Sequence, residues 1–229
     1  MDNLLLKYMN ERIKHSARVV LDPGPVITIS RECGCSASLV AEKLTEKINK
    51  KINDPAKDWK WISKEILNLA SEELEIDPEQ IRKLLSGEEK NFLDEIASSF
   101  ANKYYIYDAK IKKVIEHVIM SFAVRGRVII VGRGSEVISH AIPRSLHIKL
   151  FAPLNWRIGA ISNRYGISTE EAKQRIIKVD NNRSKLRNLY IDKNDAPTFY
   201  DIEFNSAKFS NDEIVKTILK IAKSRSLLN

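Results

Sequence analysis

The chain has 229 residues, enough for one sizeable α/β domain with small inserts, and its 43% hydrophobic content supports a packed core and excludes global disorder. With 38 Lys and Arg against 30 Asp and Glu, the formal charge is +8, which fits either a solvated, mildly basic surface or a basic cleft for phosphate. The 8 Gly and 7 Pro exclude collagen-like and low-complexity classes, and no apolar run approaches the ~20 residues of a membrane helix.

Residues 1–20 read as an amphipathic helix: Leu4, Leu5 and Leu6 are soon followed by Lys7, Glu11, Arg12 and Lys14, which is unlike a signal peptide. Residues 1–25 are therefore expected to be a helical extension that packs on the domain or on a second subunit, and a cytoplasmic location is the default. A turn at Asp22 to Pro25 leads into Val26-Ile-Thr-Ile-Ser30, a short buried strand. The loop Arg31 to Ser36 follows, then a helix with Leu39, Val40, Leu44 and Ile48 on one face.

Residues 53–107 read as a largely helical insertion. Helices are expected from Trp59 to Leu74 and again from Asp77, which caps with Pro78 at its first position. Asp108 to Val124 is a helix with the stripe Ile111, Ile115, Val118, Ile119 and Phe122. Arg127 to Val131 is a second buried strand ending in Gly132-Arg133-Gly134, and Leu146 to Phe151 is a third. Trp156 to Tyr165 is helical, and Ser168-Thr-Glu-Glu171 is a capping box that opens a helix running to about Tyr190. Tyr200 to Phe204 is a final strand, and Asp212 to Ser226 a closing amphipathic helix. Strands alternating with helices predict a doubly wound parallel sheet, whose ligands bind at the carboxyl ends of the strands. Arg31 to Ser38 and Gly132 to Ser135 both lie at such ends.

Cys33 and Cys35 are two residues apart, poor spacing for an unstrained disulfide and too few ligands for structural zinc. His15, His117, His140 and His147 show no metal spacing and read as structural. Trp59 and Trp61 fit core or interface better than a base-stacking platform.

A phosphate loop reads G-x-x-x-x-G-K-[ST] between a strand and a helix. Its backbone amides and the helix N-terminus bind phosphate, the lysine adds charge and the hydroxyl holds magnesium. Aligned by strand end and helix start, the eight positions here are Arg31, Glu32, Cys33, Gly34, Cys35, Ser36, Ala37 and Ser38. Arg31 and Ser36 replace the glycines, Ala37 replaces the lysine, and only Ser38 keeps its type. These eight residues allow two readings: an ordinary strand-to-helix turn, or a backbone nest for an anion made of the small residues Gly34 to Ser38.

The wider segment is more specific. Ile27-Thr-Ile-Ser-Arg-Glu32, Gly34 and Val40-Ala-Glu-Lys-Leu44 resemble the opening of the cytidylate-kinase-like family. Val131-Gly-Arg-Gly134 looks like that family's strand ending in Gly-Arg, and Phe151-Ala-Pro-Leu-Asn-Trp-Arg-Ile158 resembles its Ala-Pro-Leu-x-Trp-Arg-Ile segment. Gly166 to Ala172, with Asp180, Arg183 and Arg187, resembles its arginine-bearing mobile lid. Many relatives also lack the lysine, but their loops carry more glycine than Cys35, Ser36 and Ala37 provide. Where the family usually has an acidic residue after the second short strand, this chain has Ser63.

The resemblance implies a P-loop NTPase-like three-layer α/β/α fold over residues 26–229, with a parallel sheet, an insertion of the NMP-binding type at 53–107 and a lid at 157–197. It implies transfer of the γ-phosphoryl group of ATP, with Mg2+, to a nucleoside monophosphate such as CMP or dCMP. Arg31, Gly34, Cys35, Ser36, Ala37 and Ser38 would hold the donor, with Ser38 on the metal. Arg133 would hold the acceptor phosphate, and Arg183 and Arg187, four apart on one helix face, would act in catalysis. Each has a plainer alternative: a salt bridge for Arg133, a solvated basic face for Arg183 and Arg187, a pairing with Glu32 for Arg31. Asp180 would aim Arg183, and Arg157 would brace the lid or touch the donor. The partners implied are a small-molecule nucleotide and, through the N-terminal helix and tryptophans, a homodimer contact; no membrane and no specific nucleic acid are expected. Two rival functions stay open: a catalytically impaired nucleotide- or phosphate-binding protein on the same fold, and a nucleic-acid binder suggested by charge alone.

Overall fold

In the computed structural model, residues 23–52, 54–75, 77, 81, 101–191 and 199–228 are described. The expected N-terminal helix, and the helix from Asp77 apart from Asp77 and Ile81, lie outside them.

The apolar β-branched runs form a five-stranded, all-parallel sheet in the order β2-β3-β1-β4-β5. The strands are β1 (Val26–Arg31), β2 (Lys60–Ile62), β3 (Val128–Val131), β4 (Ser145–Phe151) and β5 (Ile202–Asn205). Alternation along β3 shows why both faces are covered. Ile129 and Val131 join a core with Ile27, Ile29, Val40 and Leu44, whereas Val128 and Ile130 join one with Ile66, Ile115 and Ile119. Helices α1 (Ala37–Asn49) and α7 (Asn211–Ser224) pack on the first face. Helices α2 (Glu65–Leu74) and α3 (Ala101–Arg125) pack on the second. Each fully buried Ile or Leu side chain in these layers contributes about 1.5–3 kcal/mol.

The sheet has one more strand than the sequence pattern indicates. A helix was expected from Trp59, but Lys60–Ile62 pairs with Val128 to Ile130 and the helix begins at Glu65. Helical periodicity in Ile62, Ile66 and Ala70 hid the break. The local cause is Asn49, whose side chain accepts from the Trp59 amide and donates to its carbonyl, both at 2.9 Å. That clamp holds Trp59 extended and buries its ring. The last strand begins at Ile202, two residues later than expected; just before it the Asp201 carboxylate, and not a backbone carbonyl, accepts from the His147 amide at 2.7 Å.

Two helices form a hairpin at the carboxyl edge of the sheet: α5 (Leu154–Tyr165) and α6 (Thr169–Asn188). The capping box is formed as expected: Ser168 Oγ accepts from the Glu171 amide at 3.2 Å, and Glu171 accepts from the Ser168 amide at 2.9 Å. The hairpin has its own core of Ile161, Ala172 and Ile176, and Cys33 from the loop after β1 is buried in it. His147 is also structural, as expected. Its Nδ1 lies 2.8 Å from Thr28 Oγ1 between β1 and β4, and burial pushes its pKa down to about 4.

Candidate active site

β1 and β4 are neighbours, yet the chain leaves β1 toward β2 and leaves β4 toward β5. That divergence opens a crevice at their carboxyl ends, the usual place for a ligand in such sheets. A cavity of about 490 Å3 lies there, roofed by α6. Arg31, Arg133, Lys149, Arg183 and Arg187 line it, against three carboxylates, Glu32, Glu136 and Asp180.

Arg31 ends β1, and its guanidinium packs on Gly132, where any Cβ would collide with it. Burial, then the charges of Arg183 and Arg133, lower its pKa to about 9. A cation made less stable by its like-charged neighbours is what an anion site looks like before its anion arrives. Arg133 stands in the turn between β3 and the short helix α4 (Ser135–Ile138). Gly132, Arg133 and Gly134 have φ of 77°, 66° and 71°. The two glycines adopt this left-handed backbone readily, but for Arg133 it costs roughly 1–2 kcal/mol. The strained conformation aims a cation into the cleft, as functional strain commonly does.

Arg183 and Arg187 share the inner face of α6, as their spacing requires. Arg183 donates to the Arg31 carbonyl at 3.2 Å and lies 3.5 Å from Asp180. Arg187 reaches the Tyr200 hydroxyl at 3.4 Å. Arg31, Arg133, Arg183 and Arg187 therefore meet in one cleft.

The loop from Gly34 to Ser38 does not line this cleft. It is instead bound by the α5–α6 hairpin. The Cys33 amide donates to Asp180 Oδ1 at 2.7 Å, and Asp180 Oδ2 accepts from Arg157 at 2.6 Å. Arg157 also pairs with Glu32 at 3.2 Å and bonds the Ala152 carbonyl at 3.0 Å. Gly34 has φ 103° and sits so close to α5 that a Cβ would come within 3.1 Å of Arg157 Cβ. Its lack of a side chain is thus needed for hairpin packing. Arg164 donates to Ser36 Oγ at 2.9 Å, Cys35 and Ala37 are buried, and Ser38 is exposed on the first turn of α1. Burial pushes both the Cys33 and Cys35 thiols up. Among the described residues the amides of Gly34 and Ser36 have no acceptor, which leaves two donors for an anion.

The floor of the cleft holds residues that sequence reasoning passed over. Glu136 is only 1% exposed, and burial raises its pKa. Tyr200 donates to Glu136 Oε1 at 3.1 Å and lies 3.2 Å from Ser30 Oγ; burial, then Glu136, pushes its pKa up to about 12. Lys149 lies over the Tyr200 ring and pairs with Glu203 at 3.1 Å. A lysine inside the apolar run Leu146 to Phe151, and an acid two residues after Gly-Arg-Gly, were the available signals. Tyr200 gave none. Ser63, where relatives usually have an acid, points its hydroxyl at the Val131 carbonyl at 3.3 Å.

Residues 26–208 match the protein family described as the cytidylate kinase-like family. Comparison with curated proteins gave no match. An uncharacterized protein from Eubacterium ventriosum is similar in structure, with a TM-score of 0.59 at 23% identity, covering 87% of this chain and 98% of its own. Shikimate kinase from Acinetobacter baumannii, in complex with shikimate, aligns with a TM-score of 0.46 at 12% identity over 89% of this chain and 96% of its own. Among the described residues no helix is long and apolar enough to cross a membrane.

Proposed function

The chain belongs to the cytidylate kinase-like family, and from that premise we propose that it is a small-molecule kinase moving the γ-phosphoryl group of ATP to a nucleoside monophosphate, CMP or dCMP by resemblance. The observation that carries this reading is the convergence of four guanidinium groups on one cleft beneath a helical hairpin. Phosphoryl transfer is chiefly a matter of positioning and charge stabilisation, and planar guanidinium groups suit phosphate oxygens.

Arg133, fixed by its turn, holds the acceptor phosphate. Arg183 and Arg187 come down from α6 onto the transferring group and keep water out. Arg31 faces both, and supplies a charge near the place where the loop lacks a lysine. The donor phosphates lie toward Gly34 to Ser38, where the Gly34 and Ser36 amides offer hydrogen bonds. Mg2+, which neutralises charge between the donor phosphates, typically keeps several waters and needs only one or two protein oxygens beside them. The exposed Ser38 hydroxyl would be the oxygen to hold it, although the described residues contain no cluster of three or more metal-ligating side chains.

One observation favours a second reading, a nucleotide- or phosphate-binding protein without turnover. Asp180 occupies the Cys33 amide at 2.7 Å. A phosphate oxygen at that donor requires the hairpin to withdraw. A coupled assay with ATP, Mg2+ and each nucleoside monophosphate separates the two readings. Turnover supports the kinase, whereas thermal stabilisation by CMP or ATP without turnover supports the binding protein.

A further inference from the structure

Among the described residues, Glu136 and Arg187 each carry a buried atom without a partner. Glu136 Oε1 accepts from Tyr200, but Oε2 has no hydrogen-bond partner, and neither has the buried Nε of Arg187. Both residues line the cleft. Both side chains reach the same group: the Tyr200 hydroxyl lies 3.1 Å from Glu136 Oε1 and 3.4 Å from Arg187 Nη1. Buried polar atoms in folded proteins almost always have partners, so an unmatched acceptor and an unmatched donor on two residues that line one cavity mark a place for ligand atoms.

The surroundings restrict which atoms fit. A cationic ligand group is repelled by Arg31, Arg133, Lys149, Arg183 and Arg187. Glu136, when ionised, repels a second anion at the floor. The group must therefore be neutral, and it must donate to Oε2 while accepting from Nε–H. A hydroxyl does both through one oxygen, whereas an amide or aromatic amino group only donates and a carbonyl only accepts. The cavity, about 490 Å3, is large enough for a phosphorylated sugar.

We propose that Glu136 and Arg187 form a hydroxyl-recognition subsite on the floor of the acceptor cleft, selecting a phosphomonoester that carries an alcohol over one that does not. Its phosphate lies at the rim among Arg133, Arg183 and the terminal nitrogens of Arg187. One of its hydroxyls donates to Glu136 Oε2 and accepts from Arg187 Nε. Tyr200, whose hydroxyl also meets Ser30, holds the carboxylate in place from the other side. This rests on the reading of the cleft as a phosphate-acceptor site.

The test is calorimetric titration of the full chain, at fixed ionic strength, with ribose 5-phosphate and with methyl phosphate, which carries the same anion without hydroxyls. Wild type is expected to prefer ribose 5-phosphate at least tenfold. Glu136→Leu should bring the two ligands within about twofold of each other. A wild type that binds both probes alike, or a preference that survives in Glu136→Leu, overturns the subsite and leaves the anion site standing. A wild type that binds neither probe overturns the acceptor-site reading and the subsite with it. Should Glu136→Leu fail to fold, Tyr200→Phe, which frees the carboxylate from its hydroxyl, should reduce the preference several-fold; an unchanged preference there counts against the proposal equally.

Discussion

Removing the Asp180 carboxylate with Asp180→Ala tests how the hairpin is held to the loop. Three groups lose a partner: the Cys33 amide at 2.7 Å, Arg157 at 2.6 Å and Arg183 at 3.5 Å. Arg157 keeps Glu32 at 3.2 Å and is not stranded. Arg183 keeps the Arg31 carbonyl. The Cys33 amide, in a residue only 6% exposed, is left without an acceptor. Hydrogen bonds to a charged group are worth roughly 1.5–3 kcal/mol each, and an orphaned buried donor costs about 1–3 kcal/mol. Counting the Cys33 amide fully and the retained partners of Arg157 as partial compensation, the loss is about 3 kcal/mol. In a chain of this size that lowers Tm by roughly 6–12 °C. Asp180→Asn should lose about half as much, since its amide oxygen still accepts from Cys33. Urea denaturation gives the stability change, and hydrogen exchange at the Cys33 amide reports the contact itself. A loss below about 1 kcal/mol in Asp180→Ala, with Cys33 exchange unchanged, would refute the clamp.

Three further outcomes are expected. Arg133→Gly keeps the left-handed turn accessible but removes the guanidinium, so calorimetry should show CMP binding weakened at least tenfold; unaltered binding would remove Arg133 from the site. Burial raises the Glu136 pKa in the folded state, beside Tyr200, Arg187 and Arg31. Its contribution to stability is therefore fully present below the ordinary glutamate range and is lost as pH rises through the folded value. Thermal melts of Glu136→Gln against wild type should accordingly show the variant gaining relative stability from pH 5 to pH 8, and a pH-independent difference would contradict the shift. Gly34→Ala places a side chain at φ 103° and 3.1 Å from Arg157 Cβ, so denaturation should show a loss of about 1–3 kcal/mol, and a neutral result would mean that the hairpin is not packed there.

Much of the architecture was written in local pattern. Val26 to Ser30, Arg127 to Val131 and Leu146 to Phe151 are unbroken apolar runs because strands covered on both faces need no alternation, and they became β1, β3 and β4. The capping box at Ser168 and Glu171 fixed the start of α6 for the same local reason. The edge strand β2 was illegible because Lys60–Ile62 is held by pairing with the distant β3, while its apolar residues continue the period of α2. At the site, the i, i+4 spacing placed Arg183 and Arg187 on one face, and the Gly-Arg-Gly turn marked Arg133. The grip of Asp180 on the loop amide spans 147 residues, and no periodicity carries such a contact. Glu136 and Tyr200 likewise meet only through the fold.

The central claim is that the four-guanidinium cleft accepts a phosphoryl group transferred from ATP. The most direct measurement incubates the protein with ATP labelled in its γ-phosphate, Mg2+ and a panel of nucleoside monophosphates, and resolves labelled products for wild type and Arg183→Met. Label is expected to appear in a nucleoside diphosphate, cytidine first, and to fall at least a hundredfold in the variant. Label confined to ATP and inorganic phosphate for every acceptor, in a protein that binds CMP, would contradict the account.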